Sequence, residues 1–271
     1  MGALDGRVAI VTGASRGIGE RIAKRLASEG AAVALVARTV EAGSARLPGS
    51  IEETIAQIRG NGGTAVAIPA DLTDPDDVET IIERAAAELG PVDTLINNAG
   101  ANFYGPLLDL SAKKYAVMFQ LMVHAPFRLC QLAVPGMIER GRGWIVNITS
   151  KQARHPIGPP YPDWATDGCT PYGMCKAALD RLTTGLAAET EGRGISVNSL
   201  GTSGLVVTPG VAVVSPHTPD NVPVEPDNAM PDAALALVSG APGEVTGKIV
   251  YSMDVLGLPF TEGPWALAAT F

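Results

Sequence analysis

Tyr172 and Lys176 stand four residues apart in Tyr172-Gly-Met-Cys-Lys176, so on a helix they share one face. An unperturbed phenol ionises near pH 10, and a neighbouring ammonium favours the phenolate and lowers that value. Such a tyrosine can exchange a proton with an alcohol or a carbonyl near neutral pH. Taken alone, a pair like this is usually a solvated couple on a helix surface. Its weight depends on what the rest of the chain sets beside it.

A second group of residues suits anion binding. Thr12-Gly13-Ala14-Ser15-Arg16-Gly17-Ile18-Gly19 joins an apolar run, Arg7–Thr12, to an amphipathic one. Glycine serves three ends in such a place: a tight turn, close approach of backbone to a phosphate, and close helix–strand contact. The helix start adds unpaired N–H groups and partial positive charge. A glycine triplet is weak by itself, because tight turns often carry glycine. Its position after the first strand, ahead of further strand–helix units, strengthens it.

These residues need a scaffold, and the chain supplies one. Buried-strand runs fall at Arg7–Thr12, Ala32–Ala37, Thr64–Pro69, Thr94–Asn97, Trp144–Thr149, Ile195–Leu200 and Lys248–Ser252. Helical patterns fill Gly17–Glu29, Ile51–Asn61, Asp76–Leu89, Ser111–Arg140, Tyr172–Glu191 and Asp227–Ser239. The strands are continuous apolar runs without in/out alternation, as in a parallel sheet covered on both faces. The expected class is α/β: a doubly wound, mainly parallel seven-stranded sheet with helices on both faces. No low-complexity linker interrupts it, so residues 1–271 are expected to form a single domain. Two stretches break the rhythm: a substrate-side insertion at 152–171 and a Pro/Gly/Val-rich segment at 202–227, expected to act as a lid.

With these pieces in order, the chain resembles the short-chain dehydrogenase/reductase family. The resemblance rests on T-G-x-x-x-G-x-G at Thr12–Gly19, on Asn97-Asn98-Ala99-Gly100, on Ser150 after the fifth strand, and on Tyr172-x-x-x-Lys176. It covers residues 7–200 well and the remainder loosely. The long connection through Arg46-Leu-Pro-Gly-Ser-Ile is similar to the hydroxysteroid-dehydrogenase-like branch. The resemblance implies a Rossmann-like dinucleotide-binding fold and an oxidoreductase moving hydride between nicotinamide and a carbonyl or alcohol. It also implies Ser150, Tyr172 and Lys176 as the catalytic set. Tyr172 is expected as general acid/base, Ser150 as a hydrogen-bond partner of the substrate oxygen, and Lys176 as a ligand of the nicotinamide ribose. Cofactor contacts are expected at Gly13, Ser15, Arg16, Gly17, Ile18, Gly19, Arg38, Thr39, Asp71, Leu72, Asn98, Ala99, Gly100 and Thr208.

Cofactor preference follows from the end of the second strand. A carboxylate there would hold a ribose 2′-OH, but the chain reads Val36-Ala37-Arg38-Thr39. Arg38 and Arg16 suit a 2′-phosphate, so NADP(H) is expected over NAD(H). The bland alternative makes both arginines solvated surface charges. Asp71 by itself reads more often as a loop cap.

Three departures from the family stand out. Met122 occupies the position where the family places an Asn thought to hold a water in a proton relay, and a thioether cannot donate a hydrogen bond. His124, two residues on, reads as a surface or interface histidine. The run between Ser150 and Tyr172 is longer than usual, with Tyr161 and Trp164 either touching substrate or packing on the domain. Thr202-Ser203 stands where Pro-Gly is usual.

Composition bounds the alternatives. The chain has 271 residues, 46% hydrophobic and 18% charged, which excludes disorder. Its net charge of −8 disfavours a nucleic-acid partner. The three cysteines, Cys130, Cys169 and Cys175, read as reduced thiols, consistent with the cytoplasm. Charges at Asp5 and Arg7 precede any apolar run, no stretch reads as a bilayer span, and no membrane partner is expected. His124, His155 and His217 are scattered without metal-ligand spacing, so no metal is expected. The partner is expected to be a hydrophobic small-molecule carbonyl or alcohol. A homo-oligomer, dimer or tetramer, is implied by the resemblance, with the apolar end Trp265–Phe271 packed on its own or a neighbouring subunit. Met122 and Thr202-Ser203 motivate one competing reading, a catalytically silent dinucleotide-binding sensor or scaffold.

Overall fold

The computed structural model describes residues 2–45, 47–162, 165, 168–214 and 223–259. Trp164, His217, the middle of the 202–227 segment and the Trp265–Phe271 end lie outside the described residues.

Seven strands form one sheet: β1 Val8–Thr12, β2 Ala32–Ala37, β3 Thr64–Pro69, β4 Thr94–Asn97, β5 Gly143–Ile148, β6 Ile195–Gly201 and β7 Ile249–Tyr251. Their order is β3-β2-β1-β4-β5-β6-β7. Every pairing is parallel, which sharpens the expectation of a mainly parallel sheet. The order reverses between β1 and β4, and ligands bind beyond the carboxyl ends of strands at such a switch point.

The helices are α1 Gly17–Ser28, α2 Ile51–Gly60, α3 Pro75–Leu89, α4 Ala112–Phe119, α5 Ala125–Glu139, α6 Thr170–Glu189, α7 Pro209–Val214, α8 Ala229–Ser239 and α9 Ser252–Val255. Short polar caps fix three starts. Ser50 accepts from the Glu53 N–H, Asp74 from Asp76, and Ser111 from Lys114. α6 begins two residues before the expected Tyr172, because Pro171 fits the first helical turn.

Successive strand residues point to opposite faces, and this divides the core in two. Ala9, Val11, Val33 and Leu35 join Ile22 and Leu26 of α1, Ile51 and Ile58 of α2, and Met230 and Leu237 of α8. Val8, Ile10, Ala34 and Val36 join Val78 and Ile81 of α3, and Leu129 and Met137 of α5. Each fully buried aliphatic side chain contributes about 1.5–3 kcal/mol. The unbroken apolar runs are thereby explained: both faces of the sheet are covered.

The helical stretch Ala112–Glu139, which contains α4 and α5, corrects one expectation. Its 28 residues are long and apolar enough to cross a bilayer by length and composition. Here α5 instead lays Leu129, Ala133 and Met137 against the sheet as a core helix.

Candidate active site

The glycine turn is a close-packed cradle. Gly13 and Gly17 have φ of +67° and +63°, where a side chain is strained. A Cβ on Gly19 would lie 2.3 Å from Asn98 Nδ2 and 2.4 Å from the Gly13 carbonyl oxygen. Asn98 explains that crowding. Its amide donates to the Thr12 carbonyl at 2.8 Å and to the Gly13 carbonyl at 3.3 Å. Thr12 Oγ1 in turn accepts from the Asn98 and Ala99 N–H groups at 2.9 and 3.1 Å. Asn98, one of the expected cofactor contacts, gives its amide donors to the turn. Ala99 and Gly100 continue this wall, with Ala99 Cα 2.9 Å from a Cβ on Gly13. Ser15 is buried at 4% exposure. Arg16 occupies the N-cap of α1 without a side-chain cap, so the helix start keeps donors for an anion.

The expected arginine pair divides its work. Arg16 Nε donates to the Pro48 carbonyl at 2.9 Å, and its Nη2 to the Gly49 carbonyl at 2.8 Å and to Thr39 Oγ1 at 3.2 Å. It fastens the long connection after β2 to the glycine turn. Burial, and then the charge of Arg38, pull its guanidinium below the ordinary value. Arg38 is exposed and stands 3.6 Å from Asp71. The Asp71 carboxylate accepts from the Thr73 N–H at 2.9 Å and its hydroxyl at 2.7 Å, the loop cap that the sequence left open. Burial pushes that carboxyl up, but the Thr73 donors and Arg38 outweigh it and leave it below the ordinary range. Leu72 is buried in the core.

Ser150, Tyr172 and Lys176 converge beyond the end of β5. Ser150 caps a one-turn helix, Lys151–Ala153, and accepts from the Gln152 N–H at 3.2 Å. α6 lies directly on that turn: a Cβ on Gly173 would sit 2.4 Å from the Gln152 carbonyl oxygen. Lys176 is 3% exposed, its Nζ donates to the Ile148 carbonyl at 2.7 Å, and the Tyr172 ring centroid is 5.5 Å away. A buried polar chain pins α6 to the sheet. Asn97 donates to Asn147, and Asn147 donates to Thr183, each at 2.8 Å. Thr183 donates its hydroxyl proton to the Leu179 carbonyl, so Ser199 at 2.8 Å must be the donor to Thr183.

Electrostatics here run against the expectation. The phenol of Tyr172 lies well above its ordinary value: burial dominates, Tyr104 and Cys169 add to it, and Ser150 partly offsets it. The ammonium of Lys176 does not reverse this. Burial pulls Lys176 itself down to about 8. Asp180, one turn along α6, is raised by burial. In the free protein this pocket disfavours charge on each of the three.

The apolar surroundings come from the departures. Gln120–His124 forms a π-helical turn between α4 and α5, a distortion often found at functional sites. Met122 sits in it, fully buried with Met118 and Cys175, and Phe103 and Tyr172 pack against the group. His124 faces outward, as its bland reading has it. The insertion closes another side. Gly168 meets Gly105, with the Gly105 N–H donating to its carbonyl at 3.3 Å, and this brings Cys169 to Asn102 and Tyr172. Tyr161 is exposed. Thr208 lies over the glycine turn, with its Cβ and Cγ2 3.3 Å from a Cβ on Gly17. Tyr104, Asp180 and Glu225 carry no motif that points to the site, and Cys169 reads from the sequence only as a reduced thiol. Glu225 is buried beside Ser203.

A seven-stranded parallel sheet with a glycine turn at its switch point defines a Rossmann-like α/β protein. The sequence pattern described as short chain dehydrogenase matches residues 7–218, and the chain belongs to that family. It is 36% identical over 197 residues to gluconate 5-dehydrogenase of Gluconobacter oxydans, covering 73% of this chain and 70% of that protein. It is 29% identical over 255 residues to hydroxysteroid dehydrogenase-like protein 2 of Xenopus tropicalis, covering 94% and 58%. The chain spans between 58% and 70% of the length of several relatives that it matches. A short chain dehydrogenase from Burkholderia cenocepacia, solved in complex with NADP, superimposes with a TM-score of 0.75 at 31% identity, covering 92% of this chain and 97% of that one.

Proposed function

We propose that this oxidoreductase uses NADP(H) to interconvert a carbonyl and an alcohol on a hydrophobic small molecule, with Tyr172 as general acid/base. The carrying observation is the meeting of Ser150, Tyr172 and Lys176 beside the glycine cradle. The cradle fits a dinucleotide: a side chain at Gly13, Gly17 or Gly19 would fill it, and the start of α1 keeps its donors. Gly13, Ser15, Gly17, Ile18 and Gly19 would line the diphosphate, Arg38 with Arg16 and Thr39 a 2′-phosphate, and Asp71 with Leu72 the adenine. Ala99, Gly100 and Thr208 would border the nicotinamide half, and Lys176 would hold its ribose. The bound nicotinamide supplies or accepts the hydride.

The protein's own residues handle the proton. Ser150 holds the substrate oxygen by a hydrogen bond, which strengthens as negative charge develops there. Tyr172 donates its proton to that oxygen in reduction and takes it back in oxidation. A phenol kept neutral by burial is in the protonated form that reduction requires. Met122, Phe103, Cys169 and Cys175 exclude water and favour an apolar substrate. We propose also that the whole chain forms one domain and assembles as a dimer or tetramer.

The test is NADPH oxidation against a panel of carbonyl compounds, paired with direct NADPH and NADH binding. Arg38→Ala should raise the KM for NADPH about tenfold and leave that for NADH unchanged, given ~1.5–3 kcal/mol per charged hydrogen bond. NADPH binding without turnover across the panel would favour a silent sensor and sink the enzymatic reading.

A further inference from the structure

Glu225 is 2% exposed, and no cation pairs with it among the described residues. Its Oε2 accepts from the Ser252 hydroxyl at 2.6 Å, from the Ser203 N–H at 2.8 Å and from the Gly204 N–H at 3.3 Å. Its Oε1 is buried without a hydrogen-bond partner among the described residues. Ser203 Oγ accepts from the Met253 N–H at 3.0 Å, which ties the same knot to the start of α9. One carboxylate thus gathers three segments: the exit of β6, the returning chain at 223–225, and α9.

The knot extends toward the glycine cradle. The Leu205 N–H donates to the Pro223 carbonyl at 2.8 Å, and the Glu225 N–H to the Leu205 carbonyl at 3.1 Å. Further out, Arg21 of α1 donates to the Val207 carbonyl at 3.1 Å and pairs with Asp227 at 2.9 Å. Thr208 then rests on Gly17. The stretch 203–208 is therefore pinned at its inner end by a buried carboxylate and at its outer end by a half-buried arginine. Buried charge-assisted hydrogen bonds are the stronger anchors, because water does not compete for them. The Thr202-Ser203 departure is explained in the same terms, since Pro-Gly would supply no hydroxyl for Met253.

We propose that Glu225 is a positioning residue. It sets the path of 203–208, and so the placement of Thr208 over Gly17, without touching the dinucleotide. This rests on the reading above that the cradle binds NADP(H). The test titrates NADPH by its fluorescence into the full chain and its variants, with melting temperature recorded in parallel. Glu225→Ala should weaken NADPH binding about tenfold, with kcat at saturating cofactor within about threefold. Glu225→Gln, whose amide oxygen can keep all three donors, should stay within about threefold of the parent. Ser252→Ala removes one donor and should fall between them; it also serves if Glu225→Ala does not fold. A merely structural Glu225 would lower the melting temperature and leave NADPH affinity unchanged in Glu225→Ala or Ser252→Ala, and that result overturns the proposal. A parent that fails to bind NADPH overturns the functional reading and this inference with it.

Discussion

The glycine turn and the Tyr172 pocket sit at neighbouring strand ends, yet they are built on opposite electrostatic principles. The turn is assembled from backbone. The Asn98 amide satisfies its carbonyls and Thr12 Oγ1 accepts from the facing N–H groups, while the start of α1 leaves N–H groups for an anion. The pocket is assembled from apolar side chains and sulfur, and it resists charge: Tyr172 is pushed up and Lys176 down. On the proposed function, the contrast would let one site receive a highly charged ligand and carry out proton transfer in a dry environment. Charge is welcomed where dipoles are fixed, and suppressed where a neutral acid is wanted.

The largest expected effect removes the acid. Tyr172→Phe should cut turnover by roughly 10²–10⁴-fold while NADPH affinity stays within about threefold. A comparable loss in affinity would show that the two regions are not separable. Next comes Lys176, with a definite sign. Burial lowers its ammonium from 10.5 to about 8, so below that pH the folded state carries the cost of a charged buried lysine. That cost fades as pH rises from about 8 toward 10.5. Lys176→Met should therefore be the more stable protein at pH 7, by up to about 3 kcal/mol, with the gap closing near pH 10. Melting curves at the two pH values decide it, and a gap that widens with pH refutes the assignment.

Gly19→Ala tests the turn. Its new Cβ would meet Asn98 and the Gly13 carbonyl, so stability should drop by about 1–3 kcal/mol and NADPH affinity with it, leaving kcat at saturation much less affected. Met122→Asn tests the pocket. An amide among Met118, Cys175 and the Tyr172 ring lacks partners, and should cost about 1–3 kcal/mol if left unsatisfied. If a water joins it, stability is retained and the pH profile of kcat shifts instead. Chemical denaturation and pH–rate curves separate the two outcomes.

The local features were legible in the chain. Runs such as AVALVA at 32–37 match their observed strand because a strand buried on both faces must be apolar at every position. The glycines at 13, 17 and 19 announce a turn because 13 and 17 take positive φ and a Cβ at 19 would meet Asn98 and the Gly13 carbonyl. Tyr172 and Lys176 share a face because the helical repeat requires it. What could not be read were quantities set by distant partners. Arg16 is committed to carbonyls around residue 48, and Asn98 is turned toward the glycine turn.

The sequence therefore determined the fold class, the order of the strands along the chain and the residues capable of chemistry, since these follow from short-range pattern and residue type. The tertiary structure decided the state in which those residues are held. Burial depends on what packs from elsewhere: Met122 from a π-helical turn, Cys169 from the insertion, and Glu225 brought back to Ser203. Desolvation and hydrogen bonding act through space, so the raised phenol, the lowered ammonium and the buried clasp exist only once the chain has folded.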